Sequence, residues 1–128
     1  QEARRWRKML GGAMRQVGVI AAAGVVALDT MIDRMVDDHA NARKLAVALA
    51  EMPGIDIDLT TVETNIVRFS VPAHTGMEIA GRLKEEGVYI NGGDSDLRFV
   101  PHYGIDSEDV DIAINAMNKV MAEVPVER

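Results

Sequence analysis

Apolar positions in this chain repeat at two periods, and the change from one to the other divides it into elements. Ile32, Met35, Val36, His39, Ala42, Leu45, Ala46 and Leu49 recur at intervals of three and four, the stripe of an amphipathic helix. Thr30 and Asp33 have the spacing of a capping box at its start, and Pro53-Gly54 marks its stop. Thr64–Val71 then switches to period two. Ile66, Arg68 and Ser70 alternate with Val67, Phe69 and Val71, predicting a strand with one buried face that Pro72 ends. Gly76–Glu86 predicts a helix with Met77, Ile79, Ala80 and Leu83 inward and Gly87 as its C-terminal stop. Val88–Ile90 and Asp96–Val100 read as two strands of a hairpin turned by Asn91–Asp94. Asp106, Glu108 and Asp109 set acids at the positive end of a last helix, whose core face is Val110, Ile114, Met117, Val120 and Met121. The order helix, strand, helix, hairpin, helix predicts an α+β fold, with helices on one face of a small antiparallel sheet.

One segment fits neither period. Val17–Leu28 carries no charge over twelve residues, too short for the ~20 that span a bilayer. Apolar on every side, it predicts a helix buried all round. A chain of 128 residues has little to bury it with, so the segment points to an interface with a larger body. Arg4-Arg5 ahead of it imitate a signal peptide, but no small-residue cleavage site leads into a loop. The expected organisation is a basic segment and apolar helix over 1–29 and a small α+β domain over 30–128.

Composition narrows the function classes. With 48% apolar and 27% charged residues the chain is globular rather than disordered. It has no cysteine, which excludes a disulfide framework, a thiolate metal site and a cysteine nucleophile, and fits a reducing, cytoplasmic setting. The net charge of −6 hides an asymmetry, since Arg4, Arg5, Arg7, Lys8 and Arg15 all precede residue 17. An acidic body argues against a nucleic-acid or membrane-surface partner.

Candidate chemistry gathers at two places. Lys8 and Arg15 flank Gly11-Gly12 just before a helix start, an arrangement that favours phosphate or is simply a solvated basic face. Arg98 lies mid-strand between Leu97 and Phe99 and faces away from both. It is either a bidentate clamp for a carboxylate or an exposed arginine paired with a neighbouring Asp. His102 can position a ligand or bond the backbone, and His39 reads as a packed histidine. The acidic clusters lack EF-hand spacing and the three histidines lack zinc spacing, so no metal site is expected.

The strings RRWRKMLGGAMRQVGVIAAAGVVAL, DDHANARKLA, TNIVRF and LRFVPHYG, in that order, resemble the C-terminal part of low-specificity L-threonine aldolases. These are pyridoxal-phosphate enzymes of the aspartate aminotransferase-like fold and the β-eliminating lyase group. The resemblance runs from Arg4 to about Val120 and implies that Lys8 and Arg15 reach toward the cofactor phosphate, across a subunit interface of a homodimer or homotetramer. It implies that Arg98 binds the substrate α-carboxylate. It departs from the family pattern at Ala13, where a third Gly is common, and at Pro101-His102, where a Thr-His pair is typical.

The implied reaction is cleavage of L-threonine or L-allo-threonine, small β-hydroxy amino acids, to glycine and acetaldehyde. Lys8, Lys44, Lys84 and Lys119 sit in no motif that matches the cofactor-anchoring Schiff-base lysine, so no catalytic residue is assigned in this chain. It is expected to be a fragment, inactive alone, whose partner is the large cofactor-binding domain of the same enzyme. The rival expectation is a stand-alone, non-catalytic α+β module that binds a ligand or docks on a subunit through Val17–Leu28.

Overall fold

The computed structural model describes residues 1–124; residues 125–128, the end of the expected second domain, lie outside the described residues. The chain divides into two compact units, Gln1–Arg34 and the residues from Met35 onward.

In the first unit the basic stretch is itself helical. Helix α1, Glu2–Met9, has Glu2 in its first turn and Arg7 and Lys8 in its last, each at the end that its charge favours. It stops in a Schellman motif. Gly11 adopts φ +82°, its amide donates to the Lys8 carbonyl at 3.2 Å, and the Gly12 amide donates to the Arg7 carbonyl at 2.7 Å. A β-carbon at Gly12 would come to 2.9 Å from Arg7 Cγ, so the second glycine is required by the tightness of the turn.

Helix α2, Gly18–Thr30, follows, and two expectations are corrected there. Thr30 does not cap the next helix. It closes α2, its hydroxyl donating to the Val26 carbonyl at 2.8 Å, because the apolar run continues helical to its end. The helix forms as expected but has no buried residue within this chain; Val19 is 80% exposed and Leu28 70%.

The second unit opens with helix α3, Met35–Ala50. Its lower stripe, Ala42, Leu45, Ala46 and Leu49, is buried, whereas Ile32, Met35 and Val36 of the expected stripe are exposed. The helix begins at Met35, so Ile32 lies before it, and its buried face starts at Asp38 and runs through Asn41 and Ala42. Strand β1, Val67–Ser70, then helix α4, Gly76–Glu85, strands β2, Asn91–Gly92, and β3, Asp96–Phe99, and helix α5, Ser107–Glu123, complete the unit. Met77 points outward, while Ile79 and Leu83 are buried.

The sheet is antiparallel in the order β1-β3-β2. The hairpin is present, but its first strand is Asn91–Gly92 and not Val88–Ile90. Asn91 and Gly92 pair with Arg98 and Leu97, so residues read as the turn became ladder and the reversal tightened to Gly93–Ser95. Gly92 is needed in the strand because a β-carbon there would overlap the Leu97 side chain.

Val67, Phe69, Leu97 and Phe99 project from one face of the sheet into a single apolar cluster with α3, α4 and α5. The Phe69 and Phe99 rings stack with centroids 5.7 Å apart. Asp106 starts α5 as expected. Its carboxylate accepts from the Glu108 and Asp109 amides, and the Asp109 carboxylate accepts from the Asp106 amide. The result is the expected α+β layer: one face of the sheet covered by helices, the other open.

Candidate functional site

The alternation that buries Val67, Phe69, Leu97 and Phe99 sends Arg68 and Arg98 to the open face. Register then brings them together. Arg68 is the cross-strand partner of Arg98, and Asn91 partners Arg98 on its other side, so one row across the sheet reads Arg68, Arg98, Asn91. Two residues along, about 7 Å away, a second row reads Asp56, Ser70, Asp96, with Asp56 joined to Ser70 by an isolated bridge. A cavity of about 540 Å³ lies over both rows.

The carboxylates of the acidic row form no ion pair with the arginines. Asp96 accepts from the Ser70 hydroxyl at 3.1 Å. Asp58, also in the wall of the cavity, accepts from the Thr60 hydroxyl at 2.7 Å and amide at 2.9 Å; those bonds, the hydroxyl's first, hold its pKa below the ordinary 3.8. Among the described residues, neither Arg68 nor Arg98 has a carboxylate within ion-pairing distance. Two like charges directly opposite on a sheet repel.

Asn65 and His102 lie near the end of β3. The Asn65 side chain donates to the Pro101 carbonyl at 2.8 Å, pinning the strand exit. His102 is exposed, and its Nδ1 is 2.8 Å from the Tyr103 carbonyl, so it bonds the backbone. It also lines a separate cavity of about 330 Å³ with largely apolar walls. His39 is half-buried on α3. The DHANAR string proves to be a tether. Asn41 donates to the Ile105 carbonyl at 3.0 Å and Arg43 to the Leu59 carbonyl at 2.8 Å, tying two loops to α3.

In the first unit, Lys8 occupies the last turn of α1 and Arg15 lies three residues before α2; both are exposed. The amides of Gly11 and Gly12 are spent on the Schellman motif, so the glycines cap a helix and offer no free amide to an anion. Neither cation is ion-paired among the described residues. Both side chains are therefore open to solvent and to any anion that approaches them.

The other lysines are engaged elsewhere. Lys44 is 2.6 Å from Asp111, Lys84 lies 5.9 Å over the Tyr89 ring, and Lys119 is 2.5 Å from Glu86, which raises its pKa. A lysine that condenses with a carbonyl must shed its proton, and Lys119 is shifted the opposite way. No group of three or more His, Asp or Glu close enough to hold a metal occurs among the described residues, and no helix among them is long and apolar enough to cross a membrane.

Arg68 and Asn91 are the site residues that sequence reading missed. Arg68 is visible as an outward strand position, but its partnership with Arg98 depends on pairing with a residue 30 positions (98 − 68) further along the chain.

This α+β layer is found in solved enzymes. It superposes on the cysteine desulfurase CsdA of Escherichia coli with a TM-score of 0.68 at 19% identity, covering 85% of this chain and 30% of that one. On MppP, solved after soaking with 2-ketoarginine, the score is 0.60 at 17% identity over 75% of this chain and 30% of that one. The shared fold is fold type I of the pyridoxal-phosphate enzymes.

The family model for β-eliminating lyases matches residues 1–72, and the chain belongs to that pyridoxal-phosphate-dependent family. It is 34% identical over 125 residues to low-specificity L-threonine aldolase 1 of Arabidopsis thaliana, covering 94% of this chain and 35% of that protein. To the low-specificity L-threonine aldolase of Escherichia coli K12 it is 36% identical over 104 residues, 81% of this chain and 30% of that one. The resemblance carried by the motifs is thus borne out, and the chain spans about a third of the length of these relatives.

Proposed function

We propose that this chain is the small-domain part of a pyridoxal-phosphate-dependent threonine aldolase that cleaves L-threonine or L-allo-threonine to glycine and acetaldehyde. The observation that carries the proposal is Arg98, held by β3 on the open face of the sheet, above a cavity and without an ion-pair partner among the described residues. Arg98 binds the substrate α-carboxylate in a two-point grip, which fixes the amino acid's orientation. Lys8 and Arg15 hold the cofactor phosphate. When bound, the cofactor supplies the electron sink for breaking the Cα–Cβ bond. The residues of this chain bind and orient, and none of them moves a proton in the reaction.

In the full-length protein the apolar surface of α2 is covered by the large domain. The working form is a homodimer or homotetramer in the cytoplasm, with the cofactor site shared between subunits. Similarity to the aldolases over nearly the whole chain, together with the exposure of α2, supports the covering of α2 by a larger domain.

The test is steady-state kinetics. Residues 1–128 alone are expected to cleave no L-threonine, and the full-length enzyme to release acetaldehyde. Arg98→Lys in that enzyme should lower kcat/KM by a factor of about 10 to 100, the loss of one charged hydrogen bond. Unchanged kinetics would remove Arg98 from the site.

A further inference from the structure

We infer that Arg68 is a specificity-determining residue, and that the site takes amino acids with a second carboxylate, in which Arg98 holds the α-carboxylate and Arg68 the acidic side chain. The inference rests on the proposed role of Arg98 and adds what only the register shows. The two guanidiniums start from directly paired positions on one face, above one cavity, with no carboxylate close enough to pair with either among the described residues.

A monocarboxylate brings one charge to this row and leaves the second guanidinium without a directly contacting carboxylate, the wall's Asp56, Asp58 and Asp96 forming no ion pair with it. A dicarboxylate satisfies both, and each Arg–carboxylate pair is the two-point kind that gives geometric as well as electrostatic selectivity. Asn91, next in the row, offers a neutral amide beside Arg98 and leaves the two positive charges uncancelled. The neighbouring acidic row sets the limit. Asp56 and Asp96 stand about 7 Å along the strands and repel an anion placed there, so the two carboxylates are confined to the arginine row. The favoured substrate class is therefore a short β-hydroxy dicarboxylic amino acid, with threonine, whose side chain is uncharged, the weaker ligand.

Two measurements on the full-length, cofactor-loaded protein test this, with melting curves of each variant confirming the fold. In calorimetric titration, succinate should bind about tenfold tighter than propionate. Arg68→Met should abolish that difference, and Arg68→Lys should restore part of it. In kinetics, kcat/KM for L-threo-3-hydroxyaspartate should exceed that for L-threonine about tenfold. Arg68→Met should bring the ratio of the two kcat/KM values to about one, by a larger loss for L-threo-3-hydroxyaspartate than for L-threonine.

Equal affinity for succinate and propionate in the wild type overturns the inference. So does an Arg68→Met variant that weakens both substrates alike, which would mean both arginines grip one carboxylate. Failure of the underlying reading looks different: neither amino acid is cleaved, and Arg98→Met leaves propionate binding unchanged. That outcome overturns the inference as well.

Discussion

Gly11 and Gly12 show how a residue's meaning depends on what its amide bonds to. As a string, a glycine pair between cations favours phosphate; folded, both amides close the end of α1, and a side chain at Gly12 would collide with Arg7. The charge of Lys8 and Arg15 is untouched by that reassignment, because neither enters an ion pair among the described residues. Any grip on a phosphate therefore falls to side chains, and each should be felt singly. Arg15→Ala is expected to raise the pyridoxal-phosphate concentration needed to saturate the full-length enzyme by about tenfold, read from cofactor titration by absorbance. An unaltered requirement returns Arg15 to the solvent. Arg98 and His102 show the same dependence. The first has no ion-pair partner among the described residues, while Nδ1 of the second bonds the Tyr103 carbonyl.

At the scale of elements, local chemistry decided most boundaries correctly where a strong stop or start signal was present. Asp106 is the clearest case. A short acceptor three residues before another acid is a complete capping box in sequence, and both of its hydrogen-bond directions form. Asp106→Ala should destabilise the unit by about 1 kcal/mol, seen as a lower urea midpoint with unchanged slope, whereas Asp106→Asn should retain most of the cap. Thr30 carried a similar signal and failed. Val17–Leu28 has no stop of its own, so helix propagation carries α2 through Thr30, and its hydroxyl bonds backward to Val26. The hairpin strand was misplaced for a related reason. Asn91-Gly92 is good turn chemistry, but the pairing of Leu97 and Arg98 with these residues outweighs it once β3 is docked in the sheet.

At the scale of the molecule, the core lies wholly within residues 42–124 and the described helices before Met35 bury nothing. The second unit should therefore fold without the first. A chain beginning at Met35 is expected to show one cooperative thermal transition, within about 5 °C of that of residues 1–128; loss of the transition would mean that α1 and α2 are part of its stability. The same division explains an expectation that the chain cannot itself fulfil. The apolar composition of Val17–Leu28 predicts burial on all sides, and within this chain α2 is exposed on all sides. Its composition is that of a core helix, and the relatives are about three times as long as this chain.

What sequence by itself determined here are the properties that depend on neighbours along the chain. Periods of 3.6 and 2 are local, so α3, β1, α4, β3 and α5, the α+β class and the outward aim of Arg98 could all be read from spacing. The family resemblance was legible for the same reason, since its motifs are continuous strings. Tertiary structure decided whatever depends on partners distant in sequence. The β1-β3-β2 order and the register that sets Arg68 against Arg98 come from packing two strands on a common core, and a shift of one residue would have turned the arginines inward. The exposure of α2 likewise depends on the surface available to cover it, which no local pattern encodes.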